Sequence, residues 1–348
     1  MAYTAVGGGL STYVPSTNDL ATGALQVEFT RAPNTFALTR YAQLVPVTKA
    51  TGYYLRQDVT DNVRVTDVNE FAWPLGNDRP TGKQNAFEFK QYTALRYAYP
   101  FYIPQETTQQ AAWDVVAQHA RSKAQLAMTS RTMRTATVLS TSGNWDGNYT
   151  AAAGTSTGPY TATGSWVGSS VANKYIQKSI QQVMRIVSQT SGGAVNPNQL
   201  IMVISPTVAQ HISQAPEVQE FVKYMPLATQ FLTGSETFAK WGIPPTLFGL
   251  GDVVVDDSVK VTSKRGAAST TYSYVLGNGA YFLSRPGGLV GVEGANSFST
   301  LQIFAYEDMT VEQFNDPLNR RIEGRVIDNS VAELAAPVSG FGIGDVTA

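Results

Sequence analysis

The longest helical pattern in the chain runs from Glu106 to about Leu139, a stretch that contains no proline and no glycine. Pro104 ends the preceding segment, and residues 107–110 offer a Thr-x-x-Gln capping box. Apolar residues recur there at spacings of three and four: Trp113, Val116, Ala120, Ala124 and Ala127. A helix of about 33 residues spans about 50 Å. We therefore predict one long helix over residues 105–139, lying across a sheet or another flat surface.

A long β-ribbon is predicted just before this helix. Five large apolar side chains occupy odd positions: Phe87, Phe89, Leu95, Tyr97 and Tyr99. Glu88, Lys90 and Arg96 occupy even positions, and this alternation is the period of a strand. A weaker limb begins at residues 53–55, and the connection over residues 74–85 is dense in turn formers. Because an isolated two-stranded ribbon is marginal in water, we expect it to pack on a neighbouring surface.

Two low-complexity segments flank these elements. Residues 1–45 are rich in Gly, Ser, Thr and Asn with isolated apolar residues, and they fit either an extended arm lying on another surface or a disordered tail. Residues 140–170 carry one charge, Asp146, and a loop of that length is unusual inside a compact domain. We predict a domain boundary there, with short strands around Tyr160 and Trp166.

An α/β pattern begins at residue 171. A helix is predicted first, with four apolar residues on one face: Ile176, Ile180, Val183 and Val187. A stop signal follows at residues 192–193. Ser205 and Pro206 then provide an N-cap and a first-turn proline, and another helix is predicted from residue 216. Strands are predicted at residues 200–204, 252–256, 272–276 and 280–283, with a hairpin around residues 264–266, and β structure returns at residues 301–305 and 322–326.

Composition excludes several classes of protein. Charged residues make up 15 % of the chain, against about 25 % in an average protein. The 25 basic and 26 acidic residues give a net charge of −1, which does not suit a basic nucleic-acid reader, and the 43 % hydrophobic content excludes a disordered chain. A near-neutral surface favours association. There is no cysteine for a disulfide or thiolate, no apolar stretch long enough for a transmembrane helix, and no signal-peptide pattern.

No pattern in the sequence points to catalysis. His119 and His211 are the two histidines, without metal-ligand spacing and without any cysteine to help them. Residues 249–254 lack the third glycine of a dinucleotide fingerprint, and neither a phosphate loop nor a nucleophile elbow occurs. The adjacent acids at residues 256–257 and 307–308 are predicted to be surface or turn residues. We predict no catalytic, cofactor or metal site, and a protein that is not an enzyme.

The order of these segments resembles the major capsid protein of tailed bacteriophages, which has the HK97-type fold. The best local marker is residues 192–202, with its Asn196-Pro197-Asn198 turn, followed by Ser205-Pro206 and Ala215-Pro216. The resemblance implies an α+β, HK97-like capsid fold whose parts are an N-terminal arm (1–45), an E-loop β-hairpin (46–100), a peripheral domain with the spine helix and following loop (101–170, helix 105–139), an axial α/β domain (171–295), a peripheral β return (296–327) and a C-terminal axial strand and tail (328–348, apolar around 331–338).

The resemblance also implies a function. Copies of the chain would form the hexamers and pentamers of an icosahedral head that encloses double-stranded DNA, with E-loops and arms lying on neighbouring subunits. Residues 1–45 are too short and non-helical for a fused scaffold, which implies a separate scaffolding protein, beside a portal protein and a decoration protein as further partners. The expected location is the virion capsid after assembly in the host cytoplasm, with no cofactor and no membrane. The low charge then predicts an association-prone subunit whose neutral surfaces lie at subunit contacts.

Two groups of site residues follow. Contacts at the E-loop tip are predicted for Asp78, Arg79 and Lys83, and no covalent crosslink is predicted because no partner for Lys83 can be identified. The family's spine helix lies toward the inner surface, so non-specific contacts with DNA phosphates are predicted for four residues: Arg121, Lys123, Arg131 and Arg134. A solvated helix face that complements the helix dipole is the competing interpretation.

Three alternatives to a virus capsid remain open. An encapsulin-like compartment would share the fold and enclose cargo enzymes rather than a genome. A phage tail or surface β-structural protein would suit the Thr-, Gly- and Tyr-rich stretches, although the long helix and the α/β middle argue against it. An enzyme with an unrecognised site is the third alternative.

Overall fold

The computed structural model describes residues 30–57, 59, 63–65, 67, 72, 87–111, 114–224, 236–244, 246–264, 266–284 and 299–348. The α-helices are α1 (Leu38–Tyr41), α2 (Gln105–Gln110), α3 (Val115–Ser140), α4 (Tyr175–Thr190), α5 (Pro206–Gln214), α6 (Pro216–Lys223) and α7 (Glu236–Trp241). The strands are β1 (Gln43–Pro46), β2 (Thr51–Gln57), β3 (Phe87–Thr93), β4 (Leu95–Pro104), β5 (Tyr149–Ala152), β6 (Leu200–Ile204), β7 (Asp252–Val255), β8 (Val259–Val261), β9 (Tyr272–Tyr274), β10 (Ala280–Ser284), β11 (Leu301–Asp316), β12 (Arg321–Leu334) and β13 (Phe341–Asp345).

A four-stranded sheet of order β1-β11-β12-β4 supports the longest helix. β11 and β12 form a long antiparallel pair, β4 extends it on one side, and β1 adds a short parallel strand on the other. α3 packs on β12 and β4, so the prediction that the helix lies across a sheet is confirmed. The β return at the end of the chain is therefore the platform for the helix.

The helical stretch after β4 is two helices, so the prediction of one continuous helix is wrong. Ala111 has extended backbone angles at the end of α2, and the Asp114 carboxylate accepts a hydrogen bond from the Ala117 amide (2.9 Å) at the start of α3. An aspartate in this position caps a new helix better than it continues an old one, because its side chain replaces the missing backbone partner. Trp113 lies outside the described residues.

A five-stranded sheet of order β5-β13-β10-β6-β7 carries the second part of the fold. The predicted helix face is confirmed, since Ile176, Ile180, Val183 and Val187 are all buried in one apolar cluster with β6 and β10. The predicted stop is confirmed as well: Gly192 and Gly193 have φ of 61° and 80°, values that favour glycine. The Ser205 hydroxyl accepts from the Val208 amide and so caps α5.

The segment 142–170 contributes a strand to the five-stranded sheet and aromatic rings to the adjoining cores, which corrects the predicted boundary at residue 170. β5 pairs with β13, and three aromatic side chains of the segment are fully buried: Trp145, Tyr160 and Trp166. The Trp166 indole donates to the Ser179 hydroxyl (3.1 Å), which also lies within 3.1 Å of the Tyr160 hydroxyl. Buried aromatic rings with satisfied polar groups make this low-complexity stretch part of the core.

The chain's last strand corrects another expectation. Residues 331–334 belong to β12 of the four-stranded sheet, and the strand that enters the five-stranded sheet is β13, at residues 341–345. β13 lies between β5 and β10, so the C-terminal segment is central to that sheet.

A shared core joins the two sheets. Phe36, Leu38 and Tyr41 are buried there against side chains of α3 and of both sheets, including Leu283 and Leu301. The part of the predicted arm that the structure describes is thus a structural element of the fold. Residues 1–29 and the ribbon-tip residues Asp78, Arg79 and Lys83 lie outside the described residues. In the described part of the chain, no helix is long and apolar enough to cross a membrane.

Candidate assembly surfaces

The β2–β3 ribbon presents one exposed apolar face. Leu55 pairs directly with Phe89 across the two strands, and Tyr53 lies two residues from Leu55, so the three side chains share a face. Their exposed fractions are 55 %, 71 % and 68 % respectively. Large apolar side chains grouped on a projecting ribbon mark an interaction surface.

The opposite face of the ribbon lies on its own chain. The rings of Tyr54 and Tyr92 stack on Phe304 of β11, with centroid distances of 5.4 and 4.6 Å. Arg56 forms an ion pair with Asp146, next to the buried Trp145. The prediction that the ribbon needs a neighbouring surface is confirmed for this face, and it leaves the Leu55–Phe89 face outward.

The distal half of the four-stranded sheet exposes a row of charged and aromatic side chains. Arg325 donates to Glu312 (2.6 Å) and lies over the Phe314 ring at 5.2 Å. Arg321 pairs with Asp316 (3.3 Å) and lies 5.9 Å from the Tyr102 ring centre. Exposed pairs of this kind contribute at most about 1 kcal/mol each, so their main effect is to keep this face polar and in register.

A buried charge cluster joins α3 to the sheet. Arg131 donates to Asp328 of β12 (2.6 Å) and to Asp308 of β11 (2.7 Å), and Arg134 also pairs with Asp328 while lying 3.8 Å over the Tyr97 ring. Burial alone would raise the pKa of Asp328. The hydrogen bonds and charge of Arg131, with help from Ser330 and Arg134, outweigh burial and hold that pKa below its ordinary value.

This cluster corrects the predicted DNA contacts for two of the four cations. The guanidinium groups of Arg131 and Arg134 are held by Asp328, because a carboxylate buried in the sheet needs compensating charge. Arg121 is exposed and Lys123 is half-buried, both in the first half of α3. For these two residues a phosphate contact stays a prediction. The sequence pattern did not reveal Asp328, which follows apolar strand residues without any local motif.

The acids at residues 256–257 were expected on the surface, and for Asp256 that expectation is wrong. Asp256 is 1 % exposed and accepts hydrogen bonds from the Tyr41 hydroxyl (2.8 Å) and the Ser258 amide (3.0 Å). Asp257 is partly exposed and pairs with Arg31 (2.8 Å). These two acids therefore hold the N-terminal segment and not a ligand.

The described residues contain little that could support catalysis. His119 Nδ1 lies 2.9 Å from the Val115 carbonyl, and His211 is half-buried on α5, far along the chain from it. Within the described ranges, no three His, Asp or Glu side chains come together in a way that could hold a metal ion. Two clefts of about 120 and 260 Å³ lie beside Trp241. Both are smaller than the roughly 300–1,000 Å³ of typical small-molecule sites.

No protein-family model matches this sequence, and no curated protein sequence matches it. Solved structures do share its fold. A phage-related protein from Bordetella bronchiseptica RB50 gives a TM-score of 0.58 at 14 % identity, over 97 % of this chain and 99 % of that chain. The mature capsid of bacteriophage PhiM1 gives a TM-score of 0.51 at 12 % identity, over 99 % of this chain and 91 % of that chain. The capsid of the cyanophage P-SCSP1u gives a TM-score of 0.53 at 10 % identity, over 96 % of this chain and 92 % of that chain.

These matches extend over nearly the whole length of each chain, so the likeness is one of the whole fold and not of a single part of it. The chain has the HK97-type fold of phage capsid proteins, and the predicted α+β fold class is confirmed.

Proposed function

We propose that this protein is a structural major capsid protein, which assembles with copies of itself into the hexamers and pentamers of an icosahedral phage head. The observation that carries the proposal is the full-length likeness of its fold to two phage capsid structures. A likeness over 96 % or more of this chain takes in the ribbon, the long helix and the α/β part together.

The outward face of the ribbon supports this proposal. Leu55, Phe89 and Tyr53 have no role in the core of their own chain, and burying a large apolar side chain contributes about 1.5–3 kcal/mol. In a closed shell the same contact repeats at every equivalent subunit, so weak contacts add up to a stable particle. The ribbon face is the contact that we assign to a neighbouring subunit, and the tip residues Asp78, Arg79 and Lys83 extend that contact.

The remaining parts of the proposal concern the contents and partners of the shell. We assign double-stranded DNA as the enclosed polymer, with Arg121 and Lys123 as non-specific contacts to its phosphates. A scaffolding protein, a portal protein and a decoration protein complete the set of partners, and the virion is the location of the mature particle.

Electron microscopy of the purified full-length protein tests the assembly. Closed shells of uniform size are expected, and open tubes or monodisperse small oligomers would contradict a capsid. Particles isolated from the cells that produce them test the contents: DNA protected from nuclease supports a phage head. Shells that hold only protein would favour the encapsulin-like alternative.

A further inference from the structure

The β8–β9 hairpin exposes an apolar face of its own. Val259 pairs with Tyr274 and Val261 with Tyr272, so all four side chains share one face, with exposed fractions of 43 %, 39 %, 56 % and 66 % in that order. Among the described residues, β8 and β9 form no ladder with a further strand. A two-stranded hairpin is marginal in water, so this face needs a cover.

The base of the hairpin is anchored in the core by hydrogen bonds and burial. Ser258 donates its amide to the buried carboxylate of Asp256, and Val275 donates its amide to the Ser258 carbonyl (3.0 Å). Val275 and Leu276 are buried in the core that joins the two sheets. The hairpin therefore projects from a fixed root, and its apolar face has a defined position.

The N-terminal segment is held at that same root. Arg31 pairs with Asp257, the residue just before Ser258, and its amide donates to the Gln125 side chain of α3 (3.0 Å). Tyr41 donates to Asp256, and Arg40 pairs with Asp252 (3.3 Å). Residues 1–29 thus join the described chain beside the start of the hairpin.

The residues just before this anchor have the pattern of a strand that would fit the hairpin. Leu25, Val27 and Phe29 alternate with Gln26 and Glu28. The charges are also complementary: residues 258–276 contain two lysines and one arginine and no acid, whereas the segment contributes Glu28.

We propose that residues 25–29 lie as an extended strand on the Val259, Val261, Tyr272 and Tyr274 face of the hairpin in the same chain. The occupant is the chain's own segment because the Arg31–Asp257 pair keeps it beside the hairpin, at a high effective concentration. The hairpin is thus the dock for the N-terminal arm. This docking within one chain does not depend on shell assembly.

Pairs of introduced cysteines test the proposal, and the absence of natural cysteine makes each pair unambiguous. In the full-length protein, Leu25→Cys, Val27→Cys and Phe29→Cys are each combined with Val261→Cys and oxidised mildly. At least one odd-numbered pair is expected to form a disulfide within the chain. Gln26→Cys and Glu28→Cys with Val261→Cys are the matched controls. They should crosslink at least about fivefold less, because alternate strand residues point away.

Non-reducing gels and intact mass separate the outcomes. An intrachain disulfide with odd-over-even preference supports the proposal. Crosslinks between chains would place the segment on a neighbouring copy and overturn it, as would equal crosslinking at odd and even positions. Absence of any crosslink in protein with unchanged circular dichroism would also overturn it and leave the hairpin face to another partner.

Discussion

Arg131 of α3 and Asp328 of β12 form an ion pair, 2.6 Å from Nη2 to Oδ1, in which the two side chains are 7 % and 0 % exposed. Arg134 reaches the other oxygen of the same carboxylate, so one acid is held by two arginines of the helix. The pair fixes the helix against its sheet at a defined register.

Replacing Asp328 by Asn should lower the free energy of unfolding by about 3–5 kcal/mol, because two arginines then lose a buried counter-charge. Chemical denaturation of the isolated subunit measures it. Asp308→Asn is the matched control, since Asp308 contacts the same Arg131 but is half exposed. Asp308→Asn should lower the free energy of unfolding by clearly less than Asp328→Asn does. Equal losses at the two positions would contradict a special role for the buried carboxylate.

The lowered pKa of Asp328 also predicts that the stability of the fold falls at acidic pH. Its pKa is lower in the folded state than in the unfolded chain, so the unfolded state binds the proton more readily. The stabilisation is complete above the ordinary aspartate pKa and is lost as the pH falls through that value toward the folded one. Denaturation curves between pH 5 and pH 2 should show a shallower acid loss for Asp328→Asn than for the native chain.

The raised pKa of Glu217 predicts the opposite dependence of stability on pH. Glu217 lies in α6 and is buried against the start of α4, where its carboxylate accepts a hydrogen bond from the Ile176 amide (2.9 Å). Burial raises its pKa despite the hydrogen bonds from Ser169 and that amide. The folded state therefore binds the proton more readily, and its contribution to stability grows as the pH falls from the folded pKa toward the ordinary glutamate value. Glu217→Gln should remove this part of the pH dependence, which lies just above the ordinary glutamate pKa. An unchanged pH profile in denaturation experiments would count against it.

The ribbon predicts a defect in assembly without a defect in folding. Phe89→Asp places a charge in the middle of the outward apolar face, so shells should be reduced at least about tenfold, whereas the melting temperature of the subunit should change little. Particle counts by electron microscopy and circular dichroism measure the two effects. Phe89→Leu keeps an apolar side chain and should assemble, and normal shells from Phe89→Asp would show that this face is not a contact.

Tyr41→Phe removes the hydroxyl that donates to the buried Asp256. The substitution should lower the free energy of unfolding by about 1–3 kcal/mol, because the buried Asp256 side chain then has one hydrogen-bond donor fewer. Thr35→Val, which removes an exposed hydroxyl of the same segment, is the control and should cost less. If the Tyr41 variant is as stable as the native chain, the segment is not held through this contact.

Local patterns in the sequence predicted many elements well. The apolar face of α4, the glycine stop, the Ser205 cap and the buried strand at residues 200–204 all rest on interactions within a few residues, which propensity and periodicity express directly. The break between α2 and α3 was also local, but the stretch without proline or glycine concealed the capping effect of Asp114.

The sequence by itself determined the fold class: the order of ribbon, helix, α/β middle and β return predicted the fold that the structure has. The tertiary structure alone decided where residues 142–170 belong, which cations are paired and what holds the N-terminal segment. Tyr41 and Asp256 are 215 positions apart, and Arg131 and Asp328 are 197. Contacts at such separation depend on how the sheets pack, and no local spacing of residues encodes them.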